Sequence, residues 1–427
     1  MENNLKEVSQ VETQNQNKEI VIHQAKMIDI TKEFKNSNQD KASFICKSKE
    51  LKTQLKKIIG VIGKGYMPIF ETFRVNILDG RVTFQATNLE TSAKVTIDCE
   101  TVGTGKLCIN AKQLMDYLNV IQDCNIILAA KIEKVGNGNM VTIQIGRNGG
   151  NLATWGGYDA DEFPVWKSPK IKRNTIDISA PFFINGLNKT INFCGTDSLR
   201  PVMNGINFEV SKENIKFVST NAHKLAVQIL HKRERNYKTF GFDVASFIIP
   251  KEGAKHLILA LKNESSIVEL SFTKYVLTVA FNNVKFRLRL VEGKYPNYNA
   301  VIPIENDKVL YANRKELIQA VKTVSLSANK STNQVRFALN GICQISASDL
   351  DFGLEQTEYV KDFCFSQNEI FEIGFNSKLM LEILKDLDCE YINVEMSQPN
   401  KAALIIPQTL ERNEQFLSLL MPLVLNS

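Results

Sequence analysis

The sequence predicts an α+β protein of three tandem, similar modules, each with two helices backed by antiparallel sheets and each divisible into two β-α-β-β-β halves. Three observations carry that expectation. An amphipathic helix pattern recurs three times at a spacing of about 130 residues, too long for a solenoid unit and right for a domain. A second helix pattern follows each of the first. Between the helices, apolar and polar residues alternate with period two and are broken by short turns.

Residues 1–42 precede the first module. They are rich in Asn, Gln, Lys and Glu, hold no Gly or Pro, and predict a disordered extension. Modules then follow at 43–170, 171–302 and 303–427, with the aromatic-proline exits EFPVW (162–166) and KYPNY (294–298) marking the joins.

The first helix of each module reads SKELKTQLKKIIGVIG from Ser48, SAPFFINGLNKTINFCG from Ser179 and NRKELIQAVKTVSLSAN from Asn313. Each opens on a Ser or Asn suited to an N-cap, and apolar residues recur at helical spacing, as in Leu317, Val321 and Val324. Next comes a strand-turn-strand: 82–97, 215–230 and 343–357. Thr87-Asn88, Thr220-Asn221 and Ser348-Asp349 fall at matching places, where a short polar side chain can bond its own backbone and turn the chain. The second helices are NAKQLMDYLNVIQD (110–123), PKEGAKHLILALKN (250–263) and FNSKLMLEILKDLD (375–388), starting on Asn110, on Pro250 in the first turn, and on Asn376. Alternating strands close each module, and Asn282-Asn283 reads as a two-residue hairpin turn.

With 427 residues, 44% apolar and 23% charged, the chain sits in the globular range. No run of eighteen apolar residues suits a membrane span, and the start MENNLKEVSQ lacks the layout of a secretory signal, so a cytoplasmic protein with no membrane partner is expected. Eight scattered cysteines, none in a CxxC, read as buried reduced thiols, and four histidines without ligand spacing offer nothing for a metal. A net charge of +6 permits nucleic-acid contact, and the extension's seven acids and six lysines leave +7 to the rest.

Enzymatic motifs fail on context. Asp351-Phe352-Gly353 copies a kinase tripeptide without an HRD-type loop or a GxGxxG, and GLNKT (186–190) lacks P-loop spacing. RNGGN (147–151) and WGGYD (155–159) read as hairpin turns, while Asp159 and Asp161 sit in a loop before Pro164, where acids cap or solvate. Neither a catalytic residue nor a cofactor is assigned. The helix faces, by contrast, are basic in all three modules: Lys52, Lys56 and Lys57; Lys112; Lys189; Lys251, Lys255 and Lys262; Arg314, Lys315 and Lys322; Lys378 and Lys385. Three such modules could form a rod, an arc or a closed assembly.

From Ser43 to Leu425 the sequence resembles the bacterial DNA polymerase III sliding clamp, its beta subunit. The resemblance rests on RPVMNGINFEV (200–210), STNAHKLAV (219–227), FIIPKEGAKHL (247–257), RLVEGKYPNYNAVIP (289–303), IGFNSKLMLEIL (373–384) and LLMPLVL (419–425). It implies a head-to-tail homodimer, six clamp domains closing a ring around double-stranded DNA with helices lining the hole, and no activity of its own. The resemblance also implies contact with DNA at Lys64 in GKGYMP, and it casts Lys52, Lys56, Lys112, Lys189, Lys255, Lys322 and Lys378 as a sequence-independent lining.

The resemblance further implies a pocket for short peptides from the DNA polymerase III catalytic subunit, the clamp loader and other proteins with a clamp-binding motif. Carried over by motif, it takes Val202 and Met203 from RPVMNG, then Thr220, Ala222, His223, Lys224 and Leu225 from STNAHKLA. KYPNYNAV supplies Pro296, Ala300 and Val301, and the C-terminal run supplies Leu419, Leu420, Met421, Pro422, Leu423 and Val424. Lys224 and Val424 stand where relatives often carry arginine, and Ala300 replaces a longer residue. Leu326, in SLSAN, lies near the family's subunit interface. The rival expectation is a monomeric three-domain scaffold that binds peptides without encircling DNA.

Overall fold

The computed structural model describes residues 41–63, 67–135, 138–147, 151–165, 174–231, 237–409 and 414–425. Lys64 and all but the last two positions of the predicted extension lie outside them.

Among the described residues there are six helices and 27 strands. The helices are α1 (Ser48–Ile58), α2 (Ala111–Val120), α3 (Ala180–Ile191), α4 (Lys251–Leu261), α5 (Arg314–Val324) and α6 (Ser377–Asp386). Each sits behind one strand and ahead of three, so the β-α-β-β-β pattern occurs six times. The count exceeds the expected eight strands or so per module because every first half gains a short strand: Glu100–Val102, Tyr237–Phe240 or Phe363–Phe365. Runs this short leave little alternation to read.

Helix starts show which capping expectations were physical. The side-chain oxygens of Asn110, Asn313 and Asn376 accept from the backbone N–H of Gln113, of Lys315 and Glu316, and of Leu379. Ser48 does not cap. It is buried inside the first turn, and Asp123 takes the role instead, accepting from the Ser48 hydroxyl and the Lys49 N–H. Ser179 and Pro250 hold N-cap positions without side-chain bonds.

The paired turns are built as the sequence suggests. Asn88 Oδ1 accepts from the N–H of Glu90 and Thr91, and Asn221 Oδ1 from that of His223 and Lys224. In both corners the next residue, Leu89 or Ala222, takes a positive φ (73° and 74°). Asn282, also at positive φ, turns the hairpin between Val276–Phe281 and Val284–Arg289. WGGYD is no turn: Gly156 and Gly157 lie inside the strand Asn151–Asp159, opposite Thr142 and Val141. Glycine is needed there because a Cβ on Gly157 would crowd Cys108 O and Ile143.

The described residues fall into two compact units, drawn from Met1–Ile171 with Thr278–Leu288 and from Lys172–Leu277 with Arg289–Ser427. In the first, α1 and α2 pack together over antiparallel strands, burying Leu51, Leu55, Ile58, Leu114 and Leu118 around Phe44, Phe73 and Phe84.

In the second unit a nine-stranded antiparallel sheet runs from Ala245–Pro250 to Phe363–Phe365. Its central pairing joins Lys224–His231 to Glu414–Leu420, with Lys224 opposite Leu420 and Leu225 opposite Leu419. Strand alternation then sorts the side chains. Ala226, Phe416 and Leu420 face the core under α5 and α6, whereas Leu225, Val227 and Leu419 join Val218, Tyr298 and Leu404 on the other face. Leu317, Val321 and Val324 of α5 are fully buried, as their spacing predicts.

Candidate functional site

Four of the motif segments meet around the junction of those two strands. Thr220 and Asn221 form the corner: Thr220 Oγ1 donates to Lys224 O (2.8 Å) and accepts from Ala222 N–H (3.1 Å), while the Asn221 side chain holds the following two N–H groups. The corner thus satisfies its own polar groups and presents Ala222 and His223 to solvent. Met421 N–H donates to His223 O (2.9 Å), which fixes the tail against it.

Beneath lies the apolar floor of Leu225 and Leu419, buried with Tyr298 and partly covered by Tyr295 and Ile302. Tyr298 is held by a bond from its hydroxyl to Glu209 Oε2 (3.1 Å). Burial raises the pKa of both tyrosines well above the ordinary phenol value, so they stay neutral. Pro296, Ala300 and Val301 flank these rings, with Val301 53% exposed. Val202 and Met203 occupy a single 3₁₀ turn, Pro201–Met203, and both are half-buried. Val202 packs where Gly293 leaves room: a Cβ there would stand 2.6 Å from Val202 Cγ1.

Beyond Met421 the tail crosses to another strand. Leu423 N–H donates to Gly374 O (2.8 Å), and Gln334 Nε2 donates to Val424 O (3.1 Å). A Cβ on Gly374 would lie 2.7 Å from Leu423 O, so this approach depends on glycine. Pro422 and Leu423 are half-buried, whereas Met421 and Val424 are 39% and 79% exposed. The result is a strip of accessible apolar side chains over a fixed floor, including a flexible Met that can adapt to different guests.

Lys224 differs from its neighbours. Alternation turns its side chain to the opposite face from Leu225, where it is 2% exposed, 5.0 Å from the centre of the Phe193 ring and ion-paired with Glu382 of α6. Close by, Asn192 Nδ2 donates to both oxygens of Asp386 (2.9 Å each). A polar cleft of about 670 Å³ opens on this side, shared by Met203, His223, Lys224, Lys251, Glu382 and Asp386.

The predicted DNA lysines fall into two groups. Lys56, Lys112, Lys322 and Lys378 are exposed on their helices, and Lys52 is partly so. Lys255 pairs with Glu252 (2.6 Å), and Lys189 donates to Glu414 Oε2 (2.7 Å) while lying 5.9 Å from the centre of the Phe416 ring. Leu326, just past α5, is 69% exposed. Tyr295 and Tyr298 were not among the predicted residues although KYPNYNAV supplied Pro296, Ala300 and Val301; two aromatic rings in an otherwise polar connection were the available signal.

Family models of the DNA polymerase III beta subunit match along the chain: its N-terminal domain at residues 42–167, its central domain at 178–297 and its C-terminal domain at 299–423. The chain belongs to the DNA polymerase III beta subunit family. Relatives of this chain include the beta sliding clamp of Vibrio cholerae, 26% identical over 358 residues that cover 82% of this chain and 92% of that protein. The Bacillus subtilis beta sliding clamp is 26% identical over 279 residues, 64% of this chain and 70% of its own length. Among solved structures, the DNA polymerase III beta subunit of Pseudomonas aeruginosa superposes with a TM-score of 0.80 at 21% identity, covering 90% of this chain and all of that one. The Thermotoga maritima beta subunit gives 0.78 at 22% identity with the same coverage.

Proposed function

We propose that this chain is a non-catalytic sliding clamp: two copies close head to tail around duplex DNA in the cytoplasm and tether the DNA polymerase III catalytic subunit, the clamp loader and other proteins bearing a clamp-binding motif. One observation carries the reading. All three domains of the beta subunit follow one another on this chain, each over one round of the doubled β-α-β-β-β pattern. In this reading the modules span 43–170, 171–302 and 303–427, and residues 1–42 precede them.

The physical chemistry fits the task. Exposed helix lysines at Lys56, Lys112, Lys322 and Lys378 attract phosphates without reading bases, which lets a ring slide. The accessible strip from Val202 and Met203 across His223 to Met421 and Val424 suits a short linear peptide with apolar anchors. Leu326 and the outer edge of Leu354–Val360, with exposed Leu354 and Tyr359, offer one side of a heterologous subunit contact, which closes into a ring when its rotation completes the circle.

The test is topological. Loaded onto nicked circular DNA, the protein should stay bound through gel filtration and fall off when the circle is cut. Its light-scattering mass should be near twice 48.2 kDa. A single-chain mass with equal retention on circles and linear DNA would replace the clamp by a monomeric scaffold.

A further inference from the structure

The strand Lys41–Lys47, which leads into α1, pairs antiparallel with Glu100–Val102: Ser43 opposite Val102, Phe44 opposite Thr101 and Ile45 opposite Glu100. One further step in that register sets Cys46 opposite Cys99. We propose that Cys46 and Cys99 are a thiol oxidation site that closes reversibly into a cross-strand disulfide within the first unit.

The geometry is the favourable one of the two an antiparallel ladder offers. Cys99 N–H donates to Gly80 O (3.1 Å), so its backbone polar groups turn away from Cys46 and towards the strand on its other side. Opposed residues that do not exchange backbone bonds have Cα atoms about 4.5 Å apart and side chains on the same face. A disulfide spans Cα separations of roughly 4.4–6.8 Å, so the bond needs no backbone shift. The two thiols lie close enough that each senses nearby charge, Cys99 and Glu50 acting on Cys46, Asp98 and Glu50 on Cys99. Other cysteines in the ladders have no such partner. Cys108 faces Arg74 and Tyr158, Cys343 faces Leu339 and Val360, and Cys364 faces Tyr311.

Accessibility sets the order of events. Cys46 is 8% exposed and points inward with Ala42 and Phe44, whereas Cys99 is half-buried. Burial, more than the neighbouring carboxylates, raises the thiols to about 12 at Cys46 and about 11 at Cys99, which keeps the resting pair protonated and slow to react at neutral pH. A small disulfide such as oxidised glutathione reaches Cys99 first. The Cys99 thiolate attacks one glutathione sulfur, releasing one glutathione thiolate; the Cys46 thiolate then attacks the Cys99 sulfur and expels the second. Two protein thiols are oxidised, one glutathione disulfide is reduced, and the two protons that leave Cys46 and Cys99 end, through solvent, on the two glutathione thiols. The closed bond would staple the first strand, and so the start of the lysine-bearing α1, to the segment 99–102.

The full-length protein is incubated with oxidised glutathione in mildly alkaline buffer, its remaining thiols are alkylated, and its peptides are mapped by mass. A cross-linked Cys46–Cys99 peptide that dithiothreitol opens is expected. It should be absent from Cys99→Ser, and the unfolding midpoint of the first unit should rise by roughly 5 °C on oxidation of the wild type. Recovery of both cysteines alkylated while the exposed Cys364 carries glutathione would overturn the proposal. So would a glutathione adduct on Cys99 that Cys46 never displaces.

Discussion

Exchanging either member of the Lys224–Glu382 pair tests whether a charge is buried at the back of the peptide corner. The Lys224 side chain is 2% exposed and that of Glu382 54%, so the two substitutions are not equivalent. Glu382→Gln strands a buried ammonium. Losing one partner of a fully buried pair costs about 3–5 kcal/mol. Here water already screens Glu382, and Asp386 also feels Lys224, so the expected cost drops to about 2 kcal/mol. Lys224→Met removes the charge with its desolvation penalty, keeps the packing of the stem, and leaves Glu382 half in water, for about 0–1 kcal/mol. For a unit of this size the midpoint falls by roughly 2–4 °C per kcal/mol. Thermal unfolding followed on the second unit should therefore show Glu382→Gln clearly lower than Lys224→Met, and the double variant close to Lys224→Met. Because Lys224 begins the strand that carries the corner, a fluorescent polymerase peptide should lose affinity in the same order. Equal losses, or a larger loss for Lys224→Met, would refute the burial argument.

Truncation before Met421 removes the tail's bonds to His223, Gly374 and Gln334 and should abolish peptide binding in anisotropy titrations while the dimer mass is unchanged; loss of the dimer would make the tail structural. Gly186→Ala places a methyl group against the Phe217 ring inside α3 and should cost about 3 kcal/mol, read as a lower unfolding midpoint. Reversing Lys56, Lys322 and Lys378 together should slow loading and flatten its dependence on salt, and unaltered kinetics would remove these lysines from the DNA face. Asp386 is held above the usual carboxylate range mainly by burial, partly offset by Asn192 and Lys224, so the folded state binds its proton more tightly than the unfolded chain does. Its contribution to stability is lost as pH rises from 3.8 through the raised value. Subtracting the stability of Asp386→Asn from wild type across that window should give a falling curve.

The parts of this fold that the sequence made legible are those set by local chemistry. Leu317, Val321 and Val324 announce their helix by spacing, Asn110, Asn313 and Asn376 cap where they stand, and Asn282-Asn283 turns a hairpin. Features that depend on distant partners were hidden. Ser48 looked like a cap, but Asp123, from a later segment, performs that task. Gly156-Gly157 looked like a turn because two glycines suit one, yet both lie within a strand, where Gly157 makes room for its neighbours. At the candidate site, the motifs assemble Thr220, Leu225, Leu419 and Met421, but no residue pattern foretells that alternation sends Lys224 through to Glu382, or that Lys189 is held by Glu414.

The pairing of Lys224–His231 with Glu414–Leu420 has a consequence for biosynthesis. Gln228 and Glu414, bonded across it, stand 186 positions apart, so the seam cannot close until the whole intervening chain has left the ribosome. During that interval the earlier strand is a bare, mostly apolar template at which a second nascent chain could add itself. Rapid synthesis on crowded polysomes should therefore raise the chance of misassembly at this one edge.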